Sequence, residues 1–264
     1  SIVMTDTFRA LAPAKEPKTP PVSHTAKQTL PIKLGTSGGW TADRANGYCC
    51  GGTLGALVAI GGTQYVLSNY HVLEADIVSG GNQRVAADGD AVIQPGLIDV
   101  SCTAAAAQNV ATLLLRHSLP GSNVDAAVAA IVPGMVSADG AILEIGTISS
   151  QTVAASINQP VKKSGRTTGL TRSKVSALNA TVTVAYEDEC AGSEAFVKTF
   201  TGQVIIVNRA SKFLAGGDSG SLLVEDVATN PRAAGLLFAG STSLAVANPI
   251  DEVLGFLGAS MVGN

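Results

Sequence analysis

From residue 52 onward the chain alternates short apolar runs with glycine, proline and polar turns, which is the pattern of many thin strands. Residues 52–60 and 63–68 are apolar stretches on either side of Gly61-Gly62 and predict a β-hairpin. The second of these strands runs into Asn69-Tyr70-His71-Val72-Leu73, so His71 falls just past a strand end, where a rigid scaffold aims a side chain. Asp88-Gly89 marks a turn. Residues 103–117, with their alanines and Val110, Leu113 and Leu114, read as a short helix inserted between strands, with His117 as a polar residue at its end. Asp125 heads a strand of small apolar residues that reaches Val132. Pro133-Gly134 opens a connection lasting to about Pro160. A second set of strands follows at 161–171, 181–186, 203–207, 221–224, 234–239 and 244–247.

The last predicted element is a helix. Asn248 is read as its cap, Pro249 as its first position, and Asp251 and Glu252 as acids in its first turn. Ile250, Val253, Leu254 and Leu257 recur at helical spacing, so this helix packs on the body. At the other end, Pro13, Pro17, Pro20 and Pro21 make residues 1 to about 35 an extended arm, read as a linker, a pro-segment remnant or a strap across the body, in which His24 reads as a solvated side chain. A glycine-rich loop at 35–39 then leads into the core.

Composition agrees with an all-β chain. Of 264 residues 46% are hydrophobic but only 4% aromatic, and 29 glycines supply turns, so one large β domain or two small ones are expected. A net charge of −3 offers no basic footprint and argues against nucleic acid as a partner. No apolar run approaches the ~18 residues that would span a bilayer, so no membrane partner is expected. Ser1-Ile2-Val3-Met4 lacks the charged start and apolar core of a secretion signal, and the sequence as given reads as processed or trimmed. Cys49, Cys50, Cys102 and Cys190 match no standard zinc spacing, so no metal site is expected. They read either as one or two disulfides of an exported protein or as buried free thiols.

Candidate chemistry centres on Gly216-Gly217-Asp218-Ser219-Gly220-Ser221, which precedes the apolar run Leu222-Leu223-Val224. A serine between glycines on a tight turn is well placed as a nucleophile, with the N–H groups of Gly217 and Ser219 available to an oxyanion. The same residues also make an ordinary polar hairpin turn. Asp125, at the head of an apolar strand, either lies buried and needs donors such as an imidazole N–H, or caps the turn before it. His71, Asp125 and Ser219 occur in the order histidine, aspartate, serine, one of the three known orders of such a triad.

In this order the motifs resemble a chymotrypsin-fold serine peptidase of bacterial type. Cys50-Gly51-Gly52-Thr53-Leu54 resembles the family's opening strand, Ser68-Asn69-Tyr70-His71 its histidine segment, Asp125-Ala126-Ala127 its aspartate segment, and Gly217-Asp218-Ser219-Gly220 its nucleophile. Residues 161–169 resemble the matching stretch of the streptogrisin and α-lytic proteases, and Gly235-Leu236-Leu237-Phe238-Ala239-Gly240 resembles the narrow-leaf type of trypsin-like protein. The likeness covers residues 47 to about 258.

The resemblance implies two six-stranded antiparallel β-barrels and a C-terminal helix, with residues 1–40 as the arm, 41–140 as the first barrel and 141–264 as the second. It implies a serine endopeptidase acting on polypeptides without a cofactor. His71 would serve as base, Asp125 as its orienting carboxylate and Ser219 as nucleophile, with the amides of Gly217 and Ser219 as oxyanion hole. An extracellular or periplasmic location goes with the family, and the sequence allows a homo-oligomer without indicating one. Two other readings are a binding or regulatory module that keeps the fold but cleaves little, and an esterase or self-processing enzyme with the same triad. Asp218 lacks the freed N-terminal amine that pairs with it in the animal enzymes. The bacterial proteases use an arginine there, and Lys163 holds the matching position, so a Lys163–Asp218 ion pair is expected. The cysteine that follows the histidine in the family is Val72 here, which leaves Cys50 to pair elsewhere or stay free, with Cys102 as a candidate. By position the substrate pocket has Phe213 near its base and Phe238, Ala239 and Gly240 along its wall. With no aspartate at that base, an apolar or small side chain is expected before the cut.

Overall fold

The computed structural model describes residues 22–45, 48–74, 86–188 and 193–264. Its first half contains β1 (Thr36–Trp40), the two-strand ribbon β2 (Arg44–Ala45) and β3 (Tyr48–Cys49), then β4 (Gly52–Leu54), β5 (Ala56–Ile60), β6 (Thr63–Ser68), the single turn α1 (Tyr70–Leu73), β7 (Ala91–Gln94), β8 (Gln108–Leu114) and β9 (Ala127–Ile131). The second half contains β10 (Pro160–Gly165), β11 (Gly169–Asp188), β12 (Ser193–Val207), β13 (Leu222–Glu225), β14 (Ala233–Gly240), β15 (Leu244–Pro249), α2 (Ile250–Leu257) and β16 (Ser260–Met261).

The first sheet runs β16-β5-β6-β9-β8-β7-β1-β4. Apart from β16, its two ends are one stretch of chain bent at Gly55: β4 pairs with β1, and β5 pairs with β6 from Ala56↔Leu67 to Ile60↔Thr63. The bend wraps the sheet into a barrel, and β16 adds to the outer edge of β5. The second barrel is closed, in the order β10-β11-β12-β15-β14-β13. The molecule is therefore mostly β, two barrels followed by a C-terminal helix, as expected. The hairpin across Gly61-Gly62 forms at its expected place, because both glycines take positive φ (55° and 83°).

Side-chain alternation divides the interior. On β13, Leu222 and Val224 face the cluster that fills the first barrel and also takes in Ile250, Val253, Leu254 and Leu257 of α2. Leu223 faces the second barrel's own cluster of Val161, Val175, Ile206, Phe213 and Leu237. A third cluster, of Tyr70, Leu119, Tyr186, Phe200, Phe238 and Val246, lies beneath α1 and joins the two barrels.

Five expectations are corrected. Residues 103–117 are not a helix: Ala104–Ala106 is one 3-10 turn, and β8 then pairs with β7 and β9. Helix preference separates alanine from ordinary residues by only about 0.7 kcal/mol or less, and burying Val110, Ala111 and Leu113 in the barrel outweighs it. His117 accordingly sits beyond a strand, its Nδ1 3.6 Å from Glu74 Oε2.

Asn248 does not cap α2, because Pro249 occupies the N-cap position and the Asn248 side chain is buried in other bonds. His24 is buried rather than solvated, with Nδ1 2.7 Å from Gly35 O and Nε2 2.7 Å from Glu144 Oε2. The segment around it is a strap, since Ile32 and Leu34 are fully buried and bridge to Val136 and Ile142. Residues 36–40, counted with the arm, are β1 of the first sheet. Cys102 pairs with Cys49 rather than Cys50, across a Cα–Cα distance of 5.6 Å, and Cys50 is not a free thiol. Cys190 lies outside the described residues.

Where the two barrels meet, backbone touches backbone. A Cβ at Gly55 would lie 1.9 Å from the carbonyl oxygen of Gly220, and one at Gly220 would lie 2.3 Å from the carbonyl oxygen of Thr53. Gly55→Ala is expected to cost about 1–3 kcal/mol or more of stability through this overlap. Gly121→Ala, which meets nothing within 4 Å, is expected to change little. Chemical denaturation of both variants checks the difference.

Candidate active site

Asp125 precedes β9 and is fully buried. An ionised carboxylate there requires donors, and it has them from both barrels. Oδ1 accepts the backbone N–H of Tyr70 at 2.7 Å and that of His71 at 3.4 Å. Oδ2 lies 2.6 Å from His71 Nδ1 and accepts the Tyr186 hydroxyl at 2.8 Å. Asp125's own N–H donates to Asn248 Oδ1 at 2.9 Å, and its carbonyl accepts Asn69 Nδ2 at 2.7 Å. Of the two sequence readings for Asp125, the buried, donor-seeking one therefore holds. The His71 ring packs edge-on to Tyr186 at 5.8 Å between centroids, and its side chain retains 20% exposure. Burial pulls the imidazole's pKa down, but the charge and hydrogen bond of Asp125, aided by Asp43, outweigh it and leave His71 above its ordinary value.

Ser219 arrives from the second barrel on the turn before β13. Its carbonyl accepts the N–H of Thr53 at 2.8 Å, and Thr53 Oγ1 donates to Gly217 O at 3.0 Å, so β4 holds the turn from both sides of Asp218. A Cβ on Gly52 would lie 2.6 Å from the Val72 side chain and 3.1 Å from Ser219 O, so the residue after His71 and the Ser219 backbone flank the same point of β4. Among the described residues, the Ser219 hydroxyl has no hydrogen-bond partner, His71 included. The N–H groups of Asp218, Gly220 and Ser221 all have backbone acceptors, whereas those of Gly217 and Ser219 have none among the described residues. Gly217 sustains this turn with φ of 92°.

Asp218 is the second fully buried carboxylate. Oδ1 accepts the N–H groups of Thr167 and Thr168 at 2.8 and 3.1 Å. Oδ2 accepts Ala215 N–H at 3.0 Å and Thr168 Oγ1 at 2.7 Å, and lies 3.2 Å from Lys163 Nζ. The Lys163 ammonium is fully buried as well. Burial lowers its pKa, and Asp218 draws it partly back.

Beside Ser219 opens a cavity of about 310 Å³ lined by Ser211, Leu214, Ala215, Gly216, Ala239, Gly240, Ser241 and Thr242. Ala239 and Gly240 stand where the sequence placed them. Phe213 and Phe238 do not line it: both are buried, Phe213 in the second barrel's cluster and Phe238 against Phe200 at 4.8 Å. The cavity wall carries hydroxyls and small apolar groups and no charged side chain.

Three residues were missed. Tyr186 closes the Asp125 donor set, and its only signal is one aromatic ending the Thr/Val alternation of 181–186. Thr53 links β4 to the serine turn. Arg166 grips Asp99 with Nε at 2.7 Å and Nη2 at 2.5 Å, joining β10 to the first barrel, and its backbone N–H donates to Thr53 Oγ1 at 3.0 Å.

Two barrels with these side chains at their junction are the chymotrypsin-type fold, the architecture of secreted bacterial serine proteases. Solved structures agree. A glutamic acid-specific serine protease, described as using a histidine triad in substrate binding, aligns over 87% of this chain and 100% of its own with a TM-score of 0.56 at 18% identity. Thermobifida fusca protease A aligns over 88% and 99% with a TM-score of 0.55 at 19% identity. Cellulomonas bogoriensis chymotrypsin aligns over 88% and 99% with a TM-score of 0.54 at 20% identity. Residues 122–247 match the family model of the Nal1 C-terminal domain. No curated protein matches the sequence.

Tyr186→Phe removes one donor from a fully buried carboxylate without changing the ring that packs on His71. It is expected to lower stability by about 1.5–3 kcal/mol, the usual worth of a hydrogen bond to a charged group, read by chemical denaturation.

Proposed function

We propose that the chain is a serine endopeptidase in which His71, Asp125 and Ser219 form the catalytic triad. The observation that carries this reading is the His71–Asp125 couple, its carboxylate fully buried, beside a serine turn held on β4 whose two relevant amides have no acceptor among the described residues. His71 Nε2 takes the Ser219 proton as the oxygen attacks the peptide carbonyl, and later delivers that proton to the leaving amine. Asp125 holds Nδ1–H, fixes the tautomer and stabilises the imidazolium. The amides of Gly217 and Ser219 receive the oxyanion, each such donor being worth about 2.7–4 kcal/mol in the transition state. The Ser219–His71 hydrogen bond forms when substrate fills the cleft, since catalytic hydrogen bonds are often long or unmade in unliganded sites.

Lys163 and Asp218 support the oxyanion turn. The uncharged cavity beside Ser219 suits an apolar or small side chain before the scissile bond, and cleavage mainly after basic residues would refute that assignment. The Cys49–Cys102 disulfide supports an extracellular or periplasmic setting. Among the described residues no helix is long and apolar enough to cross a membrane.

An organophosphonate probe is expected to label Ser219, and Ser219→Ala to abolish labelling and cut peptide hydrolysis by roughly 10⁴- to 10⁶-fold. Because His71 acts as a neutral base and its pKa is raised, the labelling rate is expected to fall as pH drops through that raised pKa and to recover above it. A properly folded protein that neither labels nor hydrolyses any amide or ester would instead point to a binding module. Lys163→Met is expected to remove activity while circular dichroism still reports the β fold; full activity would exclude the support role.

A further inference from the structure

A second cavity lies on the second barrel and shares no lining residue with the cavity beside Ser219. It encloses about 440 Å³ between β11 and the turn that follows β12, lined by Thr171, Arg172, Ser173, Lys174, Val207, Arg209, Lys212 and Phe213. Four of the eight lining residues are cations and none is an acid, in a chain whose net charge is −3. Such a concentration is not what an evenly mixed surface gives.

The cations stand on two walls. Arg172 and Lys174 are two residues apart on β11 and so project to the same side of the strand. Arg209 and Lys212 come from the turn opposite. Arg172 is partly neutralised by Asp226, with Nε 3.1 Å from Oδ1, and Lys174 Nζ lies 3.3 Å from Asn158 Oδ1, a neutral partner. Among the described residues neither Arg209 nor Lys212 has an ion-pair or hydrogen-bond partner for its side chain. The frame is fixed: Ser173 Oγ donates to Val207 O at 2.7 Å, Thr171 Oγ1 donates to Phe213 O at 2.8 Å, and the Asn208 side chain accepts Phe213 N–H at 3.0 Å. Ala210 and Ser211 hold positive φ (51° and 54°), a costly backbone for residues with a Cβ. The strained turn directs Arg209 and Lys212 into this cleft, while Ser211 and Leu214 line the cavity beside Ser219.

We propose that this cleft is a binding site for a small oxyanion of the phosphate class bearing more than one negative charge. Guanidinium forks and ammonium groups on facing walls give two-sided, charge-assisted hydrogen bonds to such an anion, and Phe213 closes the floor. The site is separate from the peptidase chemistry and does not depend on it.

The test is calorimetric titration of the intact protein with inorganic pyrophosphate at fixed ionic strength, with sodium chloride as the matched control. Saturable one-to-one binding is expected, weakened by at least about tenfold in the Arg209→Gln/Lys212→Gln double variant, whose melting temperature without ligand stays at the wild-type value. Lys174→Gln, on the other wall, is expected to weaken binding as well and serves as the independent check should the double variant be destabilised. Absence of saturable binding, equal affinity in all variants, or the same signal from chloride would overturn the proposal.

Discussion

A fully buried carboxylate at Asp125 is the constraint around which the cleft is built. Water cannot reach it, so each lone pair must find a donor or the charge becomes prohibitively costly. No single barrel supplies them all. The first barrel gives the imidazole and two backbone amides through α1, and the second gives the Tyr186 hydroxyl. Asn248, also from the second barrel, takes the N–H of Asp125 itself. The charge is therefore settled only when the barrels are docked, and docking in turn fixes which way the His71 ring points.

The opposite wall follows the same logic with Asp218. Its five donors come from the 167–168 turn, from Ala215 and from Lys163, so the backbone carrying Ser219 is anchored at its centre. Thr53 couples the two walls. Its N–H and hydroxyl bind the carbonyls on either side of Asp218, while its own carbonyl accepts Ser68 Oγ at 2.7 Å at the end of the strand that leads to His71. The meeting of Gly55 with Gly220 allows this closeness. Any side chain at either position would push the serine turn off the first barrel, which explains part of the glycine content on packing grounds.

Local signals made much of this legible. His71 past a strand end, Asp125 at the head of a small-residue strand and Ser219 between glycines each carried a chemical reason, and their order carried the fold. Where sequence reasoning failed, the deciding partner was remote. The alanines of 103–117 suit a helix until the barrel offers β7 and β9 as neighbours. Asn248 before proline has every mark of a cap, yet the buried amide of Asp125, 123 residues away, takes its oxygen. Tyr186 and Arg166 act across the junction, and nothing adjacent to either in sequence announces it. Phe213 and Phe238 were placed by position along the chain, but both side chains turn inward to packed clusters, and only the small residues after Phe238 remain at the cavity.

The lysine at position 163 shows how the local cage selects a residue. A guanidinium carries five N–H donors in a flat fork, whereas an ammonium carries three. The cage around Lys163 offers three acceptors: Thr168 Oγ1, the carbonyl of Gly169 at 3.0 Å and Asp218 Oδ2 at 3.2 Å. The ammonium thus makes two hydrogen bonds and one ion-pair contact, with no further acceptor among the described residues for the two extra donors of a guanidinium. Thr168 completes the circuit by accepting from Lys163 and donating to Asp218. A point charge in a three-acceptor cage supports the serine turn through the Thr168 hydroxyl as much as through the ion pair itself. The less directional cation suffices here because the surrounding backbone, rather than the side chain, supplies the direction.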